Sequence, residues 1–234
     1  MIAYVDARRG ISGTSLLAAL VDAGADADEI AASLQPLAAS EGKLRAEETV
    51  VDGLRTCRVH VEEDGDRVGN GPRDIVARLA EIDLPRSVVR RAADVYGRIA
   101  LAEARVHAVR PQAVRFEELA TLRSVVGVAG SVLAAHLLGI DPITASPLPF
   151  GAGEVMTHHG RLPLPAPATL ELLRGIPVEA QAGGGELVTP TGVALLASLA
   201  TSFGEIPTMT IEGIGIGAAT SAGASIVTRV VLGS

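Results

Sequence analysis

The chain has 234 residues, and its net charge of -7 comes with 20 Lys and Arg residues that are scattered rather than clustered. This length suffices for a hydrophobic core that needs no disulfide or metal ion to stabilise it. The scattered positive charges form no basic stripe that would bind a nucleic acid. A single cysteine excludes an internal disulfide, and an aromatic content of 2% excludes base stacking as a main binding device. We identify neither a secretory leader nor an apolar run long enough to span a membrane, so we predict a cytoplasmic protein.

Strand and helix patterns alternate along the chain. In the first half of the chain they predict a strand at 2–6, helices at 16–25 and 27–38, two strands within 43–64 around the Asp52-Gly53 turn, a loop at 65–74, and helical segments at 74–108 that are broken near Pro85. In the second half they predict a helix at 116–138, a strand and turn at 142–154, and a helix at 165–175. A strand, turn and helix at 186–204 and β segments at 208–220 and 225–233 follow. The alternation lacks the strict rhythm of a doubly wound sheet. We therefore predict a mixed α/β or α+β fold in which residues 1–234 form one compact domain.

Three segments share an irregular approach, small or hydroxyl side chains and a helix start, namely 10–15, 165–169 and 189–192. The free N–H groups and the dipole of a helix start, about half a unit charge, favour a bound carboxylate or phosphate. The alternative interpretation is structural: Ser12, Thr14 and Thr191 would only cap their helices.

A glycine-rich stretch lies near the end of the chain, at 213–217, with the sequence GIGIG. It resembles a phosphate-binding loop, but it does not lead from a strand into a helix and lacks the dinucleotide spacing. We interpret it as a bulged or closely packed strand. The sequence has no GxxxxGK[ST] motif and no GxSxG motif, so neither a nucleotide P-loop nor a serine hydrolase is supported.

The histidines give limited support for a metal site. His136 lies in an apolar helix pattern, where a hydrogen-bonded core histidine is the simpler interpretation. His158 and His159 are adjacent in a proline-rich strap, and in an extended strap they point to opposite sides and do not grip the same ion. His159 is the better candidate for a pocket because Gly160 permits close approach, and a surface pair is the alternative.

Several carboxylates lie where chemistry is expected. Glu103 and His107 are four residues apart on one helix face, so they form either an acid/base pair with an oriented imidazole or an ordinary solvated pair. Asp6, Glu118 and Glu186 lie next to the candidate pocket loops, and Asp6 ends a strand, where sites commonly form.

With these segments collected, the sequence resembles the LarC family, the nickel insertion proteins of nickel-pincer nucleotide cofactor biosynthesis. The resemblance is carried by VDARRGISGTSLLAALVDAGAD, IALAEARVHA, HGRLPLPAPATLELL, ELVTPTG and GIGIGAAT. It implies nucleotide-dependent delivery of nickel into a pyridinium mononucleotide. The positions that match the family's motifs are Asp6, Gly10, Ser12, Gly13, Glu103, His107, Glu118, His159, Glu186, Thr189 and Thr191.

The chain also departs from the family. Where the family has a histidine-rich acidic loop, this chain has GDRVGNGPRD. Arg115 and Glu117 stand where the family has histidines, Arg123 and Gly127 where it has aspartates, and Thr14 replaces an acid or amide. The family's C-terminal domain, implicated in nucleotide binding, has no counterpart in these residues.

An arginine at a ligand position puts a permanent cation where a metal cation should bind. We therefore expect a diverged, metal-independent enzyme of the cyclase, isomerase or lyase type, without a cofactor, that acts on a small anionic organic molecule. In this hypothesis Arg115 and Arg123 hold the anion, and His159, Glu118 and the Glu103–His107 pair transfer protons. The other substrate-binding residues of the hypothesis are Asp6, Ser12, Thr14, Glu186, Thr189 and Thr191.

Two alternatives remain open at this point. The first is nickel insertion together with a separate nucleotide-binding chain, with nickel and a cytidine nucleotide as ligands. The second is a scaffold that only binds a partner. Neither a nucleic acid nor a membrane is expected as a partner, and self-association into a homo-oligomer is left open.

Overall fold

The computed structural model describes residues 1–38, 44–62, 67–157 and 159–234, with only the backbone described at 182 and 183. The helices are α1 (Gly13–Asp22), α2 (Ala27–Leu34), α3 (Pro72–Glu81), α4 (Arg86–Val106), α5 (Leu122–Leu137), α6 (Pro167–Leu172) and α7 (Pro190–Leu199). The strands are β1 (Ile2–Arg9), β2 (Leu44–Val51), β3 (Leu54–Val61), β4 (Ile143–Ala145), β5 (Leu148–Ala152), β6 (Glu154–Thr157), β7 (Gly160–Pro163), β8 (Val178–Gly184), β9 (Ser202–Phe203), β10 (Ile211–Ser221) and β11 (Ala224–Gly233).

The main sheet has the strand order β2-β3-β10-β11-β1-β4-β9. The hairpin β10–β11 lies at its centre, β1 pairs antiparallel with β11, and β1 pairs parallel with β4. Two small ribbons, β5–β8 and β6–β7, lie outside this sheet. Helix α1 packs against β10 and β11, and α5 packs on the other side of α1 and also contacts α4 and α7. The fold is mixed α/β in one compact body, as the sequence predicted.

Helix α1 lies unusually close to strand β10. A β-carbon added at Gly215 or Gly217 would lie under 3.0 Å from the backbone of α1, at Ala19 in the first case and at Ser15 in the second. The Asp22 carboxylate at the end of α1 also accepts a hydrogen bond of 2.8 Å from the Ile216 amide of β10. The glycine-rich stretch is therefore a closely packed strand with a bulge near Ile211, which confirms its interpretation as a strand.

The opposite side of α1 meets α5 through small residues. A β-carbon at Gly127 would lie 3.0 Å from the carbonyl carbon of Gly13, and a β-carbon at Gly130 would lie 2.8 Å from the Leu17 side chain. The buried Ser131 hydroxyl donates a 3.0 Å hydrogen bond to the Gly13 carbonyl oxygen. Because glycine lacks a side chain, the two backbones approach closely, and α1 is held between the sheet and α5.

Most predicted elements are present with small shifts. The Asp52-Gly53 turn joins β2 to β3, and both residues have positive φ angles, as the turn of a two-residue hairpin requires. The helix predicted at 116–138 begins only at Leu122, because Thr121 caps it after a short 3-10 turn at Glu118–Ala120. The strand predicted before α7 is reduced to a single bridge between Val188 and Ile11. Within the described ranges, no helix is long and apolar enough to cross a membrane.

The α1–β10 contact makes a stability prediction. Gly217→Ala should lower the free energy of unfolding by about 1–3 kcal/mol or more, because the added methyl group overpacks against α1. Gly97→Ala is the matched control: it lies inside α4 with open space around it, and alanine should stabilise that helix by about 0.5–1 kcal/mol. Urea denaturation of the three proteins measures both effects, and equal midpoints for Gly217→Ala and the parent chain would contradict this account of the packing.

Candidate functional site

Two histidines from distant segments meet at one end of helix α4. His107 is the C-terminal cap of α4, and its Nε2 atom lies 3.3 Å from the Oε2 atom of Glu103, one turn earlier. The ring of His159 lies with its centroid 5.0 Å from that of His107, at an interplanar angle of 40°. The Glu103 side chain is 19% exposed and that of His107 is 40% exposed, so the pair is open to solvent on one side. We call Glu103, His107 and His159 the imidazole cluster.

His159 is delivered by a hairpin rather than by an extended strap, which corrects the sequence-based prediction. Strands β6 and β7 pair antiparallel from Glu154 with Pro163 to Thr157 with Gly160, and His159 lies in the turn between them. Gly160 has a φ angle of +88° and open space around its α-carbon, so it serves the turn and not a close approach. His158 lies outside the described residues.

The starts of α1 and α7 lie side by side. Ser12 caps α1 in a capping box with Ser15, and the Thr189 hydroxyl accepts a 3.2 Å hydrogen bond from the Gly192 amide at the start of α7. The Gly13 amide donates to the Thr191 hydroxyl at 3.4 Å, and this bond joins the two helix starts.

The capping interpretation therefore holds for Ser12. At α7 the cap is Thr189 and not Thr191, and the Thr14 hydroxyl contacts that of Ser12 at 3.4 Å instead of capping the helix. The third predicted start, at α6, has six residues and no side-chain cap.

Close contact between backbones fixes this arrangement. A β-carbon at Gly192 would overlap the Ile11 carbonyl, so α7 can begin here only with glycine at this position. The Ile11 carbonyl oxygen accepts a hydrogen bond from the Thr189 amide at 3.1 Å. Because both helices begin at this contact, their dipoles point to the same edge of the molecule.

Glu186 and Glu118 lie near this edge. The Glu186 carboxylate accepts a short hydrogen bond from the hydroxyl of Ser221, the last residue of β10. The sequence did not identify Ser221 as a partner of Glu186. Burial raises the pKa of Glu186, the Ser221 hydrogen bond opposes that rise, and the negative charge of Glu118 adds to it. Glu118 itself is exposed. Glu186 therefore holds its proton to a higher pH than an ordinary glutamate does.

Asp6 is buried within a set of arginines. Its carboxylate accepts hydrogen bonds from the Arg229 guanidinium and, at 3.1 Å, from the Arg8 amide, and the Arg8 guanidinium lies 3.7 Å away. The strand β1 changes register between Asp6 and Arg9, so this network holds a bulge. The sequence placed Asp6 at the end of a strand, whereas β1 continues to Arg9 and Asp6 lies within it, before the bulge. The carboxylate is already paired with cations.

The two arginines of the anion hypothesis lie apart from the imidazole cluster in the chain. Arg115 is in the loop before the 3-10 turn, Arg123 is in the first turn of α5, and both are exposed. The imidazoles come instead from the end of α4 and from the β6–β7 hairpin. The arginines and the imidazoles thus come from different segments of the chain.

The cluster suits a metal ion only in part. Among the described residues, no three or more His, Cys, Asp or Glu side chains are arranged to hold a metal ion. Burial raises the pKa of the Cys57 thiol to about 11, so this residue supplies no thiolate near neutral pH. The fold and site thus define an α/β protein that presents a pair of imidazoles and one carboxylate, and imidazole is a ligand that suits nickel, copper and zinc.

Comparison with known proteins gives the family. The family model "Nickel insertion protein" matches residues 3–233, and the chain belongs to this family. A relative from Geobacter metallireducens, named "Putative nickel insertion protein", is 44% identical over 223 residues, 94% of this chain and 57% of the relative. Proteins of Desulfitobacterium hafniense and a Nocardioides species, each named "Pyridinium-3,5-bisthiocarboxylic acid mononucleotide nickel insertion protein", are 38% and 42% identical over 216 residues, which is 92% of this chain and 54% and 55% of those proteins.

No solved structure matches the chain. The chain spans a little more than half the length of the curated relatives it matches. The family match overturns the expectation of a metal-independent cyclase, isomerase or lyase, and with it the expectation that no metal or nucleotide-based cofactor is involved. The expectation rested on arginine at 115 and 123 alone, and two residues do not decide whether the rest of the chain keeps the family's chemistry.

Glu186 gives a pH prediction. Its raised pKa means that the folded chain binds more protons than the unfolded chain between the ordinary glutamate pKa and the folded value, so the free energy of unfolding falls as pH rises through that window. In Glu186→Gln the amide oxygen still accepts a hydrogen bond from Ser221. Because the amide does not ionise, the variant lacks this pH-dependent decrease in the free energy of unfolding. We expect the variant to unfold at a higher urea concentration than the parent at pH 7.5, and at about the same concentration at pH 4.

The control is Glu212→Gln, a change at an exposed carboxylate of β10. It should leave the difference between the two pH values unchanged. A parallel pH dependence of the parent and Glu186→Gln would show that the carboxyl does not change its proton affinity on folding.

Proposed function

We propose that this chain takes part in inserting nickel into pyridinium-3,5-bisthiocarboxylic acid mononucleotide, with nickel as cargo that binds at His107 and His159. The proposal is supported by the names of the chain's relatives and by the residues of the imidazole cluster. Nickel insertion was the first of the two alternatives that the sequence analysis left open. The reducing cytoplasm, which keeps sulfur ligands in the thiol state, is the location we propose for it.

The observation that carries the proposal is the 5.0 Å separation of the two imidazole centroids. With metal–nitrogen bonds of about 2.1 Å and an angle between about 90° and 109° at the ion, two ring centres would lie about 4.6–5.3 Å apart. The separation therefore suits two imidazoles that bind one ion side by side. Nickel accepts imidazole ligands readily.

Glu103 has a supporting role in this proposal. A carboxylate that contacts one ring nitrogen of a histidine fixes the tautomer and the orientation of the ring. At 3.3 Å from Nε2 of His107, the Glu103 carboxylate is in that position, or it turns to bind the ion itself. In either case it adds negative charge beside the cation.

The incomplete ligand set fits a delivery role. The described residues offer two imidazoles and no set of three or more ligands for one ion, so most coordination positions of a nickel ion would stay open to water and to an incoming acceptor. Sulfur ligands are softer than imidazole and water, so a bisthiocarboxylate acceptor draws nickel from such a site. A closed site with four protein ligands would hold the ion instead.

The other residues that the sequence analysis selected are proposed to bind the organic part of the acceptor. Asp6, Ser12, Thr14, Glu186, Thr189 and Thr191 are proposed to contact the organic acceptor, and Glu118 is proposed to act beside Glu186. A mononucleotide carries phosphate, which is compatible with the paired starts of α1 and α7. We also propose that residues 1–234 work as one domain.

Nickel titration followed by calorimetry tests the proposal. The parent chain should bind Ni²⁺, and His107→Ala and His159→Ala should each weaken binding at least tenfold, because either change leaves a single imidazole. Glu103→Gln should weaken binding about 10–100-fold, the usual effect of removing a carboxylate that supports a metal-bound histidine.

His60→Ala is the matched control. His60 is an exposed histidine on β3 that contacts Glu47, so the control also removes an imidazole next to a carboxylate. It should bind nickel like the parent. Equal affinities for all four variants would refute the cluster as the nickel site, and nickel that stays on the protein after addition of the mononucleotide acceptor would refute delivery.

A further inference from the structure

The hairpin that carries His159 is weakly held by the rest of the fold. Strands β6 and β7 pair only with each other among the described residues, and a two-stranded ribbon is marginally stable by itself. Residues of both strands alternate between exposed and half-buried, and none of them is fully buried. Met156 is 67% exposed, and the Arg161 side chain is 73% exposed. Burial therefore does little to fix the turn in which His159 lies.

Local hydrogen bonds of one hydroxyl group hold that turn. The Thr157 hydroxyl oxygen accepts a hydrogen bond of 3.1 Å from the His159 amide. The same hydroxyl donates a hydrogen bond of 3.1 Å to the Gly160 carbonyl oxygen. A hydroxyl can do both at once because it has one donor and two acceptor lone pairs. The group thus ties the residue before the turn to His159 and to Gly160.

We propose that Thr157 is a positioning residue for the nickel site, which sets the turn that places the His159 ring beside His107. This inference rests on the proposed function. Thr157 does not touch the ion: it acts by raising the fraction of molecules in which the two imidazoles are already paired. The apparent affinity of a site falls in proportion to the fraction that is competent to bind, so a turn populated ten times less weakens binding about tenfold.

The test compares Thr157→Val with Thr157→Ser in Ni²⁺ titrations. Valine has nearly the shape of threonine without the hydroxyl, and we expect the apparent affinity to fall about tenfold. Serine keeps the hydroxyl, and we expect it to restore binding to within about threefold of the parent. Thr144→Val is the control: it removes an exposed hydroxyl that pairs with Ser202 on the main sheet, and should leave nickel binding unchanged.

A double variant separates positioning from a general structural effect. In the His159→Ala background there is no second imidazole to position, so Thr157→Val should have no further effect on nickel affinity. An equal loss in both backgrounds would overturn the inference, because Thr157 would then act other than through His159. Parent-like binding by Thr157→Val, with weakened binding by His159→Ala, would overturn this inference alone and leave the nickel site standing.

A failure of the proposed function gives a different result. If the parent chain binds no nickel, or if His159→Ala binds it as the parent does, both proposals fall together. Circular dichroism melting of Thr157→Val should match the parent, because the hairpin contributes little to the core. Serine rescue with a parent-like melt then supports the positioning role.

Discussion

The packing of α1 between strand β10 and helix α5 is the constraint on which the rest of this structure depends. Glycines face α1 on both sides, at 215 and 217 on the strand and at 127 and 130 on the helix. Aliphatic side chains of ordinary size at these positions would push the layers apart. The close approach instead gives dispersion contact along the whole helix, which is how a chain with few aromatic residues obtains a dense core.

This packing also decides where the start of α1 lies. With α1 fixed, Gly13 meets Thr191, and Ile11 pairs with Val188, so the starts of α1 and α7 lie at one edge. Helix α4 contacts α5, α6 and α7, and its last turn carries Glu103 and His107. The rigid helices thus fix one half of the imidazole cluster. The other half, His159, comes from the β6–β7 ribbon, so the cluster combines a histidine on a packed helix with one on a weakly held hairpin.

The replaced positions near 115–127 and the imidazole cluster lie on different segments of the chain. Arginine and glycine replace expected ligands near 115–127, and from this alone a loss of metal chemistry appeared to follow. The imidazole cluster uses other segments, and those segments carry much of the resemblance. A replaced ligand removes only the site to which it belongs, and spatial contact, not sequence proximity, defines that site.

The sequence by itself determined the fold class, the helix positions, the Asp52-Gly53 turn and the close packing of the GIGIG strand, because these depend on local periodicity, on the φ angles that a turn requires and on the absence of side chains. It also singled out Glu103 and His107 as a pair, and His159 separately. Only the tertiary structure showed that His107 and His159 meet and that the strap around His159 is a hairpin. It also showed that Glu186 contacts Ser221 and that the negative charge of Glu118 raises the pKa of Glu186. The contacts of His107 with His159 and of Glu186 with Ser221 and Glu118 join segments far apart in the chain. Their formation depends on how whole helices and strands pack, which no short sequence pattern encodes.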